Sequence, residues 1–91
     1  MTPTILKVNG EVLDVKPKNG TGFELEELQK IVDGLFDIVY LSNSQIMVVN
    51  DEGAINGMPY NEKATIAFMM TRGFIQPIYG NVLVCPSEMV K

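Results

Sequence analysis

Ninety-one residues leave room for one small domain, and 46% hydrophobic against 20% charged residues suit a folded globule rather than a disordered tail. Eleven acids against seven bases give a net charge of −4, which disfavours non-specific binding to nucleic acid or anionic lipid. With no His, and Cys85 as the only Cys, an internal disulfide, a Ser-His-Asp or Cys-His constellation and a Cys/His zinc site are excluded.

Thr4-Ile5-Leu6-Lys7-Val8 and Glu11-Val12-Leu13-Asp14-Val15 are β-prone runs separated by Asn9-Gly10. Asn-Gly in that setting predicts a tight hairpin with both central residues at positive φ. Lys16-Pro17-Lys18-Asn19-Gly20 ends it, because Pro17 has no N–H for a sheet ladder. Thr21-Gly22-Phe23-Glu24 has capping-box spacing, with Thr21 as cap and Glu24 reaching back to it. Phe23, Leu25, Leu28, Ile31 and Val32 follow at helical spacing, and Gly34 supplies a left-handed stop. The acids between them read as a solvated helix face, or else as a surface for a metal or a basic partner.

Leu35–Leu41 and Gln45–Asn50 read as a second hairpin turning at Ser42-Asn43-Ser44. The second run is almost continuously apolar, as a strand covered on both faces requires. Asp51-Glu52-Gly53 is a turn in which Gly53 is expected at positive φ, and 54–61 is a shaped loop. Asn61 is a good N-cap for a second helix that stops at Gly73. Ala64, Ala67, Phe68 and Thr71 mark one stripe of it, but Ile66, Met69 and Met70 make it apolar nearly all round, so it is deeply buried or covers a second surface. Phe74–Tyr79 and Asn81–Cys85 read as closing strands around Gly80, Pro77 placing the first at an edge or bulge. The order ββ-α-ββ-α-ββ predicts an α+β domain, a mainly antiparallel sheet with two helices packed on it. The whole chain, 1–91, forms that single domain, with a core of about residues 4–85 and a short C-terminal tail from Pro86.

Cys85 follows Val82-Leu83-Val84 and precedes Pro86, so it reads as a buried strand thiol; only a neighbour lowering its pKa would make it a nucleophile. Met1-Thr2-Pro3-Thr4 shows no basic segment leading into an apolar run, and no run approaches the about 20 residues of a membrane span. A soluble, cytoplasmic protein without membrane contact is the expectation.

Taken together, several segments are familiar: the helix with Leu25, Leu28 and Val32 before Gly34, the strand Phe36–Leu41, the Gly-x-x-x-Gly-x-Pro-x-Asn run from Gly53 to Asn61, and Ile78–Val84. In order and spacing the chain resembles the family known as domain of unknown function 3846, over roughly residues 4 to 85. The resemblance transfers no catalytic residue. It implies a small accessory protein of a bacteriophage or mobile element, acting in a bacterial host cytoplasm, where such proteins often counter host defence by holding a nucleotide signal or occupying a host protein.

The loop Asn56-Gly57-Met58-Pro59-Tyr60-Asn61 is the leading candidate ligand site. It runs into a helix start whose free amides and dipole favour an anion, Asn56 and Asn61 add donors and acceptors, and Tyr60 offers a flat face. The same residues also suit a plain connection, with Gly57 and Pro59 shaping it and Asn61 only capping. Arg72, the single arginine, either clamps a phosphate or sits favourably at a helix C-terminus. Tyr79-Gly80-Asn81 is a turn that lets a ligand approach closely, or simply a turn. Ligand-binding candidates are therefore Asn56, Gly57, Tyr60, Asn61, Arg72, Tyr79 and Asn81. No metal site and no cofactor is expected, since Asp51-Glu52 lacks the alternating ligands of a calcium loop. The sequence predicts a non-enzymatic binding protein that holds a nucleotide-like small molecule, with no direct nucleic-acid contact. The alternative is an inhibitor or adaptor that meets a host protein through the acidic helix Glu24–Asp33. Self-association into a homo-oligomer is expected because edge strands and an all-round apolar helix need covering.

Overall fold

The computed structural model describes residues 2–42 and 44–90. Five strands and two helices follow one another as β1 (Thr4–Leu6), β2 (Val12–Asp14), α1 (Leu25–Val32), β3 (Phe36–Tyr40), β4 (Gln45–Asn50), α2 (Glu62–Arg72) and β5 (Val82–Pro86). The strands form one antiparallel sheet ordered β2-β1-β5-β4-β3, so the last strand of the chain closes the middle. This is the α+β architecture and element order that the sequence predicts. The first member of the expected final pair is reduced to a single bridge, Tyr79 opposite Tyr60, because Phe74–Pro77 lie exposed outside the sheet and Pro77 has no N–H to give a ladder.

Alternation along β4 and β5 sorts the core into two layers. Ile46, Val48, Leu83 and Cys85 point to one face and meet Phe23, Leu28 and Val32 of the α1 side. Met47, Val82 and Val84 point to the other, against Ala64, Phe68 and Ile78 of the α2 side. Each helix thus covers its own face, and the nearly continuous apolar runs of β4 and β5 answer to burial on both. Burying a side chain such as Leu83 contributes about 1.5–3 kcal/mol. Helix α2 crosses its face obliquely: Lys63 Nζ donates to Gly10 O at 2.6 Å beside one edge, and Arg72 donates to Tyr40 O at 2.6 Å on the other.

Local chemistry departs from expectation at several turns. The first hairpin has a three-residue loop, closed by Lys7 N–H to Glu11 O (2.9 Å) and Gly10 N–H to Lys7 O (3.0 Å), and only Gly10 takes a positive φ. Asn9 instead accepts from Glu11 N–H through its side chain. The capping box at Thr21 does not form. Asn19 Oδ1 takes the amides of Thr21 and Gly22, Phe23 is drawn into the core with its N–H on Met89 O, and α1 starts only at Leu25 with Glu24 as an uncapped start. At its other end the left-handed cap falls on Asp33 (φ 61°), with Gly34 following at φ 147° and donating to Gln29 O, so the stop comes one residue before the predicted glycine; Asn50 Nδ2 donates to Val32 O and Asp33 O beside it. Gly53 has no positive φ; it is required because a Cβ there would lie 3.0 Å from Tyr79 O. Asn43, the middle of the predicted 42–44 turn, lies outside the described residues. The C-terminal segment does more than trail: Met89 and Val90 pack on the α1 core, and Val90 bridges Phe23. No helix among the described residues is long and apolar enough to cross a membrane.

Candidate functional site

Residues 58–61 and 78–80 are laced together just before α2. Asn61 N–H donates to Ile78 O and Gly80 N–H to Pro59 O, both at 2.8 Å, and between these bonds Tyr60 and Tyr79 face each other. Their rings meet edge to face with centroids 6.0 Å apart, a favoured aromatic arrangement. Gly80 takes the left-handed φ of 83° that the turn after Tyr79 needs, which glycine adopts without strain.

Asn61 is the clamp of this junction and not a free ligand group. It is completely buried; its Oδ1 accepts from Ala64 N–H at 3.0 Å, and its Nδ2 donates to Gly80 O at 2.8 Å and to Leu6 O at 2.9 Å. The cap predicted from sequence is present, but the amide that might have met an anion is already taken. One turn on, Thr65 donates to Asn61 O at 2.9 Å and accepts from Ile78 N–H at 3.0 Å, completing the lacing. Nothing in the capping or turn chemistry of the sequence singles out Thr65. Its spacing four residues after an N-cap Asn, on the Ala64–Phe68 stripe, was the available signal.

The remaining predicted residues separate. Asn56 and Gly57 (φ 69°) lie exposed on the turn that leads into the junction. Asn81 Oδ1 accepts from Val8 N–H at 3.0 Å and ties the first hairpin to β5. Arg72 is at the far end of α2, about 16 Å away along the helix at about 1.5 Å per residue. There its guanidinium bonds Tyr40 O and lies 6.0 Å from the Phe68 ring, a C-terminal tether rather than part of the junction. The structure therefore brings together Tyr60, Asn61 and Tyr79, with Asn81 next to them, and leaves Arg72 out.

Two recesses flank the junction. The larger, about 230 Å³, lies between the β3–β4 end and the 76–79 segment; its floor is Val39, Val49 and Ile78, and Asp37, Asp51, Gln76 and Tyr79 line it too. The smaller, about 140 Å³, lies on the other side, with Ile31, Met58, Pro59 and Asn81 in its wall. Asp37 and Asp51 make the larger recess negative and unsuited to a phosphate, whereas an uncharged or weakly basic flat group suits its apolar floor and tyrosine. In the sequence Asp51, weighed with Glu52 as a calcium pair, reads as a solvated turn acid, and Asp37 reads only as a strand residue.

Cys85 is fully buried under α1, and burial pushes its thiol up to about 11. It stays protonated and shielded at neutral pH, as the strand-thiol reading predicts. Among the described residues no group of three or more His, Cys, Asp or Glu side chains is placed to hold a metal ion.

The chain matches a family profile described as a domain of unknown function (DUF3846) over residues 3–89. It belongs to that family. The match spans both hairpins, both helices and the Tyr60–Tyr79 junction, so the candidate site lies inside the matched region. No curated protein and no solved structure matches this DUF3846 chain.

Proposed function

We propose that this protein acts by binding and not by turnover, and that its recognition site is the Tyr60–Tyr79 junction with the 230 Å³ recess beside Tyr79. The observation that carries this reading is the pair of tyrosine rings held at 6.0 Å on a backbone fixed by the buried Asn61. Tyr60 is 48% exposed, so an aromatic surface is presented on a rigid support, which lowers the ordering cost of binding. The recess falls below the about 300–1,000 Å³ of drug-sized pockets, so it takes one ring system rather than a whole nucleotide. A nucleotide-like signal held by its base, with its phosphates directed to solvent, fits both the aromatic surface and the acidic lining. Such a protein would serve a phage or mobile element in a bacterial host cytoplasm, withholding the signal from host defence.

A thermal-shift panel of nucleobases, nucleosides and cyclic or linear nucleotides tests this. A ligand at about 100 times its Kd adds about 2.7 kcal/mol, a rise of about 11–22 °C for a domain this size. Tyr60→Ala should abolish that rise and Arg72→Ala should leave it intact. A panel in which nothing raises Tm, or a rise that survives Tyr60→Ala, removes the site.

The second reading is a protein partner, for which the charge pattern on α1 and the apolar side chains on and beyond α2 favour a surface other than the acidic helix. On α1, Glu27 receives the Lys18 N–H, and Lys16, Lys18 and Lys30 line the same groove as the glutamates, which dilutes the negative charge. Ile66, Met70, Phe74 and Ile75, exposed by 45–77%, give α2 and the segment after it the apolar and aromatic character of protein contacts.

A further inference from the structure

The two edges of the sheet are finished differently. On β3, Leu35 and Leu41 bond across to Asp51 and Gln45, so the backbone groups of Phe36, Ile38 and Tyr40 point outward. Side chains occupy that edge: Asp37 Oδ1 accepts from Ile38 N–H at 2.8 Å, and Arg72 donates to Tyr40 O. On β2, the bonds from Lys7 N–H to Glu11 O and from Val15 N–H to Pro3 O turn the odd-numbered residues toward β1. The N–H and C=O of Val12 and Asp14 therefore point outward, with Lys16 next in phase, and no partner for them occurs among the described residues. Val12 is 51% and Leu13 41% exposed, one on each face. An open edge with apolar side chains is a template for another strand.

We propose that β2 pairs antiparallel with β2 of a second copy of this chain, across a two-fold axis at Val15, joining the two sheets into one. This stands apart from the tyrosine junction. An antiparallel pair about a two-fold axis is self-complementary, and charge selects among the registers that the hydrogen-bond phase allows. An axis at Asp14 sets two carboxylates directly opposite each other. Axes at Leu13 and at Val15 both leave the two carboxylates on a diagonal, but at Leu13 each faces the apolar Val12. An axis at Val12 sets Asp14 opposite Gly10. Only the axis at Val15 sets Asp14 opposite Lys16 of the second copy, and does so twice, with backbone bonds on both sides of the axis. The paired segment is short, well under the about 800 Å² per partner of a stable dimer, so association is weak and concentration-dependent.

Sedimentation equilibrium from micromolar to millimolar protein reads this directly. The average mass should climb from 10.1 kDa toward twice that value. Asp14→Lys and Lys16→Asp, each at an exposed position, should each weaken association about tenfold or more by opposing like charges. An equimolar mixture of the two variants should associate again, because each supplies the charge the other lacks. A wild-type chain that stays at 10.1 kDa at millimolar concentration overturns the proposal, as does a single variant that associates like wild type. A mixture that fails to recover association overturns the register and with it the proposal.

Discussion

Helix α1 covers its face of the sheet with Leu28 and Val32 on Ile46, Val48, Leu83 and Cys85, an all-apolar contact. Helix α2 covers the opposite face with Ala64 and Phe68, but it also buries Thr65 and follows directly on the buried Asn61. The difference follows from their sequences. In α1 the apolar residues form one stripe, so burying that stripe alone fixes which side faces the sheet. In α2 apolar residues run nearly all round, and non-directional burial would accept several rotations. Hydrogen bonds from Asn61 to Leu6 O and Gly80 O, and from Ile78 N–H to Thr65, supply the missing direction. The tyrosine junction is built on those same bonds, so orienting the helix and shaping the site are one act.

Among truncations to alanine, removing the clamp should give the largest effect. Asn61→Ala leaves Ala64 N–H, Leu6 O and Gly80 O without their partner and also deletes a helix cap, for a loss of about 3–5 kcal/mol. Asn50, the corresponding buried amide on the α1 side, ties the last turn of α1 but sits nearer solvent, and Asn50→Ala should cost about 1–3 kcal/mol. Urea unfolding of both variants makes the comparison. Equal losses would mean that α2 is oriented by packing after all, as α1 is.

A pH titration sharpens the contrast from the α1 side. The Cys85 thiol is raised from 9.0 to about 11 by burial, so above pH 9 the unfolded chain gives up this proton while the folded chain keeps it. Fewer protons are then bound in the unfolded state, and stability falls as pH rises from 9 to 11, by on the order of 2–3 kcal/mol from this group. Stability curves for wild type and Cys85→Ala over that interval should converge as the pH increases. Parallel curves would show that the thiol is ionised in the folded protein and that the α1 core is wetter than its packing indicates.

How much of this was readable beforehand depends on how far each contact reaches along the chain. Gln45–Asn50 and the Asn61 cap are legible because a short continuous apolar run and a capping residue are both local signals. The Thr21 cap failed because Phe23 answers to Met89 and Val90, more than sixty residues away. Gly53 was identified as special for the wrong reason: its neighbour is Tyr79, and no local pattern announces that approach. Phe74–Tyr79 looked like a strand by composition, yet the middle of the sheet was filled by Val82–Pro86. At the site, Tyr60 and Tyr79 were singled out separately, but their meeting depends on Asn61 reaching Gly80 and Leu6, which spacing alone does not encode. Arg72 was grouped with them by chemistry, and the length of α2 carried it elsewhere.

The smallest effect belongs to the outer side of α2. Met70 is 77% exposed and makes no part of either core, so Met70→Lys should leave stability within about 0.5 kcal/mol of wild type. Lysine is as good a helix former as methionine, and a positive charge in the last turn of α2 sits well with the helix dipole. The same change at Leu28, which is 2% exposed under α1, should prevent folding by burying an unpaired charge. Thermal melts of the two variants therefore measure the asymmetry of the two helices directly. If Met70→Lys instead costs more than about 1.5 kcal/mol, the outer strip of α2 is structural, and an apolar partner surface there loses its basis.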